Sequence, residues 1–281
     1  MRVLTTTAAT CLLAGAVITA QAPVPNPTNK TGVIGLMHAI HSTNDADKTL
    51  AFYQAVFTMA GQVRPFAGTG PQILTNSPGA TLRVAMTQLK GAFNFELTEF
   101  GNLERQLNTQ PDIADPGAPM MKMLVRDLDV VVANAKKANA PIVTKGGMPV
   151  SAPTPIGRAK AIVMRDPDGY FVEAIQATPA IIAATDASPA PAGRAGTPPP
   201  APAPPSQIVG AVMGLSVREM DETLKYWNGV LGMEMPSAEK FSSDQAMLDL
   251  MGLPKGASYR VSSGTISGSP DRKSTRLNSS H

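Results

Sequence analysis

Cysteine is almost absent: Cys11 is the only one in 281 residues. No disulfide can staple this chain, so the fold must rest on an ordinary core. Histidine is nearly as scarce, with three in all, and setting the terminal His281 aside leaves His38 and His41 for any imidazole-based site. Aromatic residues make up 5% and charged residues 16% of the chain. No stretch beyond residue 22 is apolar for long enough to be a transmembrane helix. A basic excess is missing too. Of the formal net charge of +3, Arg2 supplies one unit, and Arg272, Lys273 and Arg276 against Asp271 supply two, which leaves residues 23–270 near zero. The charge balance therefore gives no footprint for nucleic acid or an acidic membrane surface.

What is present begins with a leader. Residues 1–22 carry Arg2, an uncharged run with Leu12, Leu13, Val17 and Ile18, and then Ala20-Gln21-Ala22, the pattern of a secretory signal. Cys11 sits inside that run, not at its end, which argues against a lipid anchor, and it would leave with the signal. The expected location is periplasmic or extracellular, with no membrane attachment after cleavage. Pro23, Pro25 and Pro27 make residues 23–32 a spacer. Residues 179–206 are almost wholly Pro, Ala, Gly, Ser and Thr, including Thr197-Pro-Pro-Pro-Ala-Pro-Ala-Pro-Pro205, and read as an extended linker. Residues 271–281 have no periodicity, resemble a translated sequencing adapter, and are read as foreign to the chain.

Between these segments one pattern repeats. A strand at 33–43 and a helix at 46–59, with Leu50, Tyr53 and Phe57 on one face, precede strands near 63–66, 81–87 and 93–100. Turns are expected at Gly68-Thr-Gly-Pro71, Ser77-Pro-Gly79 and Lys90-Gly91. The order recurs with a strand at 121–126, a helix at 128–139, and strands near 142, 159–164 and 169–176, the last two joined by the turn Asp166-Pro-Asp-Gly169. A third copy starts after the linker. Asp221-Glu-Thr-Leu-Lys-Tyr-Trp lies over Asp47-Lys-Thr-Leu-Ala-Phe-Tyr at a constant offset of 174 residues, an internal duplication. Phe52-Tyr53 and Tyr226-Trp227 are read as core anchors of their helices. The expected organisation is an α+β protein of paired βαβββ units. One complete domain covers 33–178, and a truncated second one, a single unit, covers 207–270.

His38, Asp45 seven residues on, Phe52-Tyr53 seven further, and Asp166-Pro-Asp-Gly-Tyr-Phe-Val-Glu173 together resemble the vicinal oxygen chelate superfamily. That group includes glyoxalase I, bleomycin- and fosfomycin-resistance proteins and extradiol dioxygenases. The resemblance spans 33–177 and resumes over 208–263. It implies that two units curl into one cupped mixed sheet, where up to four inward side chains from first and last strands hold a divalent metal. Carried onto this chain, those positions are His38, Glu96, Met120 and Glu173. The metal set is thus His38, Glu96 and Glu173, with Met120, Asn94 and Phe171 lining the pocket. Met sulfur is a poor donor beside imidazole and carboxylate, and a missing second His weakens the dioxygenase reading. In the third unit Val212 stands at the His38 position and offers no ligand.

Two functions follow from the resemblance. One is an exported metal-dependent lyase or isomerase, with Zn, Mn, Ni or Fe at the site and Glu96 or Glu173 shuttling a proton. The other is a metal-free module that binds or sequesters a small molecule, with residues 146–157 as its rim or lid. A homodimer is compatible with either. By strand parity, His41 is expected away from His38, and Glu99 away from Glu96.

Overall fold

The computed structural model describes residues 10–14, 38–89, 93–104, 111–188, 205–233, 235–238 and 240–264. Residues 33–37, the Lys90-Gly91 turn, the spacer, the proline tract and the terminal tail lie outside the described residues. The elements in chain order are β1 (Thr10–Ala14), β2 (His38–Ser42), α1 (Ala46–Phe57), β3 (Arg64–Pro65), α2 (Gly70–Leu74), β4 (Thr81–Gln88) and β5 (Asn94–Gly101). The second unit holds β6 (Pro119–Val125), α3 (Leu128–Lys137), β7 (Val150–Thr154), β8 (Gly157–Arg165) and β9 (Phe171–Gln176). Then come α4 (Pro179–Ala187), β10 (Ile208–Val217), α5 (Met220–Lys225), α6 (Gln245–Leu250) and β11 (Ser263–Gly264).

The two main helices start for the same reason. Asp45 accepts a hydrogen bond from the Lys48 N–H at 3.0 Å, and Asp127 accepts from the N–H groups of Asp129 and Val130. Each carboxylate satisfies donors that a helix start leaves unpaired. Leu50, Tyr53, Val56 and Phe57 of α1, and Leu128, Val131, Val132 and Ala135 of α3, are buried in one core. Phe95 and Leu97 of β5 enter that core from one side, and Met123, Val172 and Ala174 of β6 and β9 from the other. The first two units therefore stand back to back, with both helices between their sheets.

The α+β architecture of βαβββ units is present, but the units pair differently from the expected cup. The first unit keeps its own four-stranded sheet, in the order β2-β5-β4-β3. The second belongs to a seven-stranded sheet, β11-β1-β10-β6-β9-β8-β7, in which its opening strand pairs antiparallel with the opening strand of the third unit. The reason is that the edge of β6 is already taken by β10, so β2 cannot occupy it. Units one and two are joined through their helices and through the β8–β9 turn.

Three smaller differences follow from packing. Residues 179–187, expected as linker, form α4: Thr178 caps it, and the buried Thr185 hydroxyl donates to the Val209 carbonyl at 2.9 Å. Residues 150–154, expected within a loop, form β7 against β8, whereas Ile142 makes only an isolated bridge to Met164. Tyr226 is exposed, unlike the buried Phe52 and Tyr53 at the matching place, because α5 gives way there to a π-helical turn at Tyr226–Val230. Among the described residues no helix is long and apolar enough to cross a membrane. Strand β1, which falls within residues 1–22, lies along β10.

Candidate functional site

Among the described residues, no element covers the helix-free face of the first sheet. β2 and β5 run parallel with His38 beside Asn94 and Ile40 beside Glu96. Ile40 is 57% and Met86 48% exposed. On that face His38 Nε2 stands 3.5 Å from Glu96 Oε2, and Glu96 Oε1 accepts the Thr98 hydroxyl at 2.7 Å. Two of the three expected metal ligands therefore meet, half-buried, next to Asn94. Glu99 turns away as parity requires and binds the Ala46 N–H at 2.9 Å and Arg83 at 3.1 Å.

Glu173 is elsewhere. It sits in the other sheet, fully buried, and is ion-paired with the fully buried Lys122. The register explains the pair, because Lys122 lies directly beside Glu173 on neighbouring strands. Met120 and Phe171 share its face, but they pack with Met247, Met251, Leu253 and Tyr259 into a second apolar core. The cavity between Met120 and α6 is about 20 Å³. That is room for about one water molecule and none for a substrate. The expected set of His38, Glu96 and Glu173 is thus not assembled. Its third member is neutralised by an ammonium group that the sequence reading passed over. The signal was available: Lys122 is the one charge in Pro119-Met-Met-Lys-Met-Leu-Val125 and has the strand parity of Met120.

A different cluster joins the units. His41, buried on the helix side of β2, has Nε2 at 3.1 Å from Asp166 Oδ2 and 3.4 Å from Asp168 Oδ2. Tyr53 donates to Asp166 Oδ2 at 3.0 Å, and the Asp168 and Tyr170 N–H groups donate to Oδ1. Asp168 accepts from the hydroxyls of Thr43 at 2.6 Å and Thr49 at 2.7 Å, and from the Asn44 N–H at 2.8 Å. The Asp-Pro-Asp-Gly turn of one unit is therefore plugged into the β2–α1 corner of the other. Burial pulls the His41 pKa down, but hydrogen bonds to Asp166 and Asp168 and their charges more than offset it, and the net shift is upward from 6.5. Burial pushes Asp168 up, yet His41, Thr43, Asn44 and Thr49 together hold its carboxyl well below its usual range. Burial and the Asp166 charge push the Tyr53 phenol well up.

His41, Asp166 and Asp168 each offer a ligand atom, all within 4.8 Å of one another, and they form the one such three-residue group among the described residues. The donor chemistry suits a divalent ion. The protons do not, since every carboxylate oxygen already accepts a hydrogen bond and an ion would have to displace the proton that His41 is drawn to keep.

The repeated βαβββ order, the capped helices and the Asp-Pro-Asp-Gly turn define the architecture. In this architecture the chain resembles solved glyoxalase-like structures. Neither a family model nor a curated protein matches the chain. Among solved structures, it is similar to a glyoxalase family protein from Bacillus cereus, at 16% identity and TM-score 0.44, covering 52% of this chain and 96% of that one. A glyoxylase/bleomycin resistance protein/dioxygenase domain from Frankia sp. EAN1pec is 19% identical at TM-score 0.36, covering 51% and 98%. A glyoxalase I mutant from Zea mays is 16% identical at TM-score 0.41, covering 82% of this chain and 69% of its own. A superfamily fold hosts many chemistries, so function has to be argued from the site.

Proposed function

We propose that this vicinal oxygen chelate protein binds a small molecule on the open face of its first sheet, without a metal held by His38, Glu96 and Glu173. The observation that carries this is the Lys122–Glu173 pair, which removes the third ligand into another sheet and neutralises it while the first unit's face stays accessible. His38 and Glu96 alone give two donors, short of the three protein ligands typical of a catalytic zinc. Beyond the Ser42 end of β2, between that face and the unit junction, lies a groove of about 340 Å³ bordered by Ser42, Asn44, Phe100, Asp168 and Tyr170. Its size falls within the roughly 300–1,000 Å³ range of small-molecule sites. Export, with residues 1–22 as the signal, belongs to the same proposal and is supported by the composition of that segment. Sequencing the N-terminus of secreted protein checks it.

Calorimetry with Zn, Mn and Ni at neutral pH tests the metal question, and no tight binding is expected. Micromolar binding lost in Glu173→Gln would overturn the proposal. Ligand-observed NMR against a library of small polar-aromatic compounds should give hits that weaken in His38→Ala and Ile40→Asp and persist in Glu173→Gln. The spacing of His41, Asp166 and Asp168 favours a second reading, an ion at the unit junction. Ion binding lost in Asp166→Asn and kept in Glu173→Gln would select it.

A further inference from the structure

Methionine is plentiful where other metal-binding side chains are scarce: the chain holds 15, against one cysteine and three histidines. Three of them come together beneath α6. Met247 and Met251 lie four residues apart, and the Met251 N–H donates to the Met247 carbonyl at 3.0 Å, which sets both side chains on one face of that helical turn. Met120 of β6 joins them in the second apolar core. Met120, Met247 and Met251 are 6%, 4% and 5% exposed, so their sulfurs belong to the interior.

The same three residues border the cavity of about 20 Å³ between Met120 and α6. Room for about one water molecule is also room for one metal ion. Gly214, opposite Met120 on β10, borders it too and contributes no side chain. The rest of the lining decides what suits the space. It includes no carboxylate, imidazole or ammonium group, and its Ser216 hydroxyl already donates to the Ile113 carbonyl at 2.6 Å. Apart from Tyr259, the remaining side chains are aliphatic. A water molecule seeks two to four polar partners, and this wall is poor in them. Hard divalent ions prefer oxygen and nitrogen donors, whereas thioether sulfur suits a soft monovalent ion.

We propose that Met120, Met247 and Met251 form a thioether site for a soft monovalent cation of the copper(I) class. Each methionine side chain has three rotatable bonds, so the sulfurs can close on an ion without moving the backbone. A thioether carries no proton, and binding therefore needs no deprotonation of its ligands. It also cannot be lost to a disulfide, so the site would serve in an oxidising compartment where a thiol site would not. The sign of the charge is favoured by Glu173, which lies on the same face of the sheet as Met120 and whose buried Oε1 has no hydrogen-bond partner. The site is separate from the His38–Glu96 face and from the His41 junction, and it stands whether or not a small molecule binds the first unit.

The test uses the full chain carrying Cys11→Ser, so that no thiol competes for the ion. Calorimetry with silver(I) in chloride-free buffer, and competition for copper(I) against a chromogenic chelator, should each show one ion bound per chain. X-ray absorption should show sulfur neighbours alone. Met120→Leu, Met247→Leu and Met251→Leu should each weaken binding by more than about tenfold, since even an outer partner of a ligand is often worth that much. Leucine nearly conserves the volume, so circular dichroism should not change. Binding should ignore His38→Ala and the double variant Met86→Leu, Met148→Leu at exposed methionines. Silver should also raise the melting temperature of the Cys11→Ser chain, a measure that depends on no leucine variant. A chain that neither binds silver nor melts higher in its presence would overturn the proposal. So would binding that survives all three leucine variants, that disappears in His38→Ala, or that shows nitrogen or oxygen neighbours.

Discussion

The first and second units share an element order and a capped helix, yet they treat the face opposite that helix in contrary ways. The first leaves it open, with the half-buried His38–Glu96 pair among exposed Ile40 and Met86. The second closes it under α6 and spends its matching carboxylate on a buried ammonium group. One unit thus keeps polar groups where a ligand can reach them, and the other converts the same positions into core. The difference traces to neighbours: β10 and α6 cover the second unit, and no described element covers the first.

The change that should break this contrast most sharply is Lys122→Ala. It strands Glu173 in an apolar face, and Glu173 Oε1 already has no hydrogen-bond partner. Removing one member of a buried pair costs roughly 3–5 kcal/mol. Urea unfolding should show that loss. The double variant Lys122→Met, Glu173→Leu should recover most of it, since apolar replacements of buried pairs are often neutral or better.

Next in size is the junction between the units. Asp168→Asn keeps the shape of the side chain and weakens its bonds to His41, Thr43 and Thr49, which should cost about 1–3 kcal/mol. The pH dependence has two arms. The Asp168 pKa is lowered in the folded state, so its contribution is present above the unfolded value of 3.8 and fades as pH falls through the lower folded value. The His41 pKa is raised, so its contribution is complete below 6.5 and is lost as pH climbs through the higher folded value. Stability curves should therefore drop at both ends, and His41→Gln should remove the alkaline drop and lessen the acid one, because His41 helps to hold the Asp168 carboxyl down. If that drop survives, His41 is not the group being titrated.

A smaller effect is expected where the second unit meets the third. Thr185→Val deletes the buried bond to the Val209 carbonyl and should cost about 1 kcal/mol. Because α4 packs on β10, the first protease cuts should move into residues 179–187.

Much of this was legible in the residues. The spacing of Leu50, Tyr53 and Phe57 announced the first helix, and the offset of 174 residues announced the third unit. His38 and Glu96 were placed together by the resemblance, and strand parity then set which of their neighbours share their face. What failed was long-range. Whether β6 pairs with β2 or with β10 is a choice between edges that offer similar backbone groups, and side-chain alternation does not decide it. Glu173 was misassigned because its partner depends on that choice, and the His41 junction was missed because it forms only once the helices bring the Asp166-Pro-Asp168 turn beside β2. The helix at 179–187 hid in linker-like composition because its stability comes from docking on β10 rather than from its own sequence.

The smallest effect should come from Glu96→Gln in the open unit, and it sharpens the comparison from the other side. The substitution keeps an acceptor for the Thr98 hydroxyl and removes the charge beside His38. Both side chains of that pair are partly solvated, so water replaces most of what is lost, and the cost to stability should stay below about 1 kcal/mol. A loss as large as that of Lys122→Ala would mean that the first face is as closed as the second, and the contrast would collapse. If the small cost is found together with loss of the compounds that bind wild type in NMR titrations, Glu96 serves a ligand rather than the core.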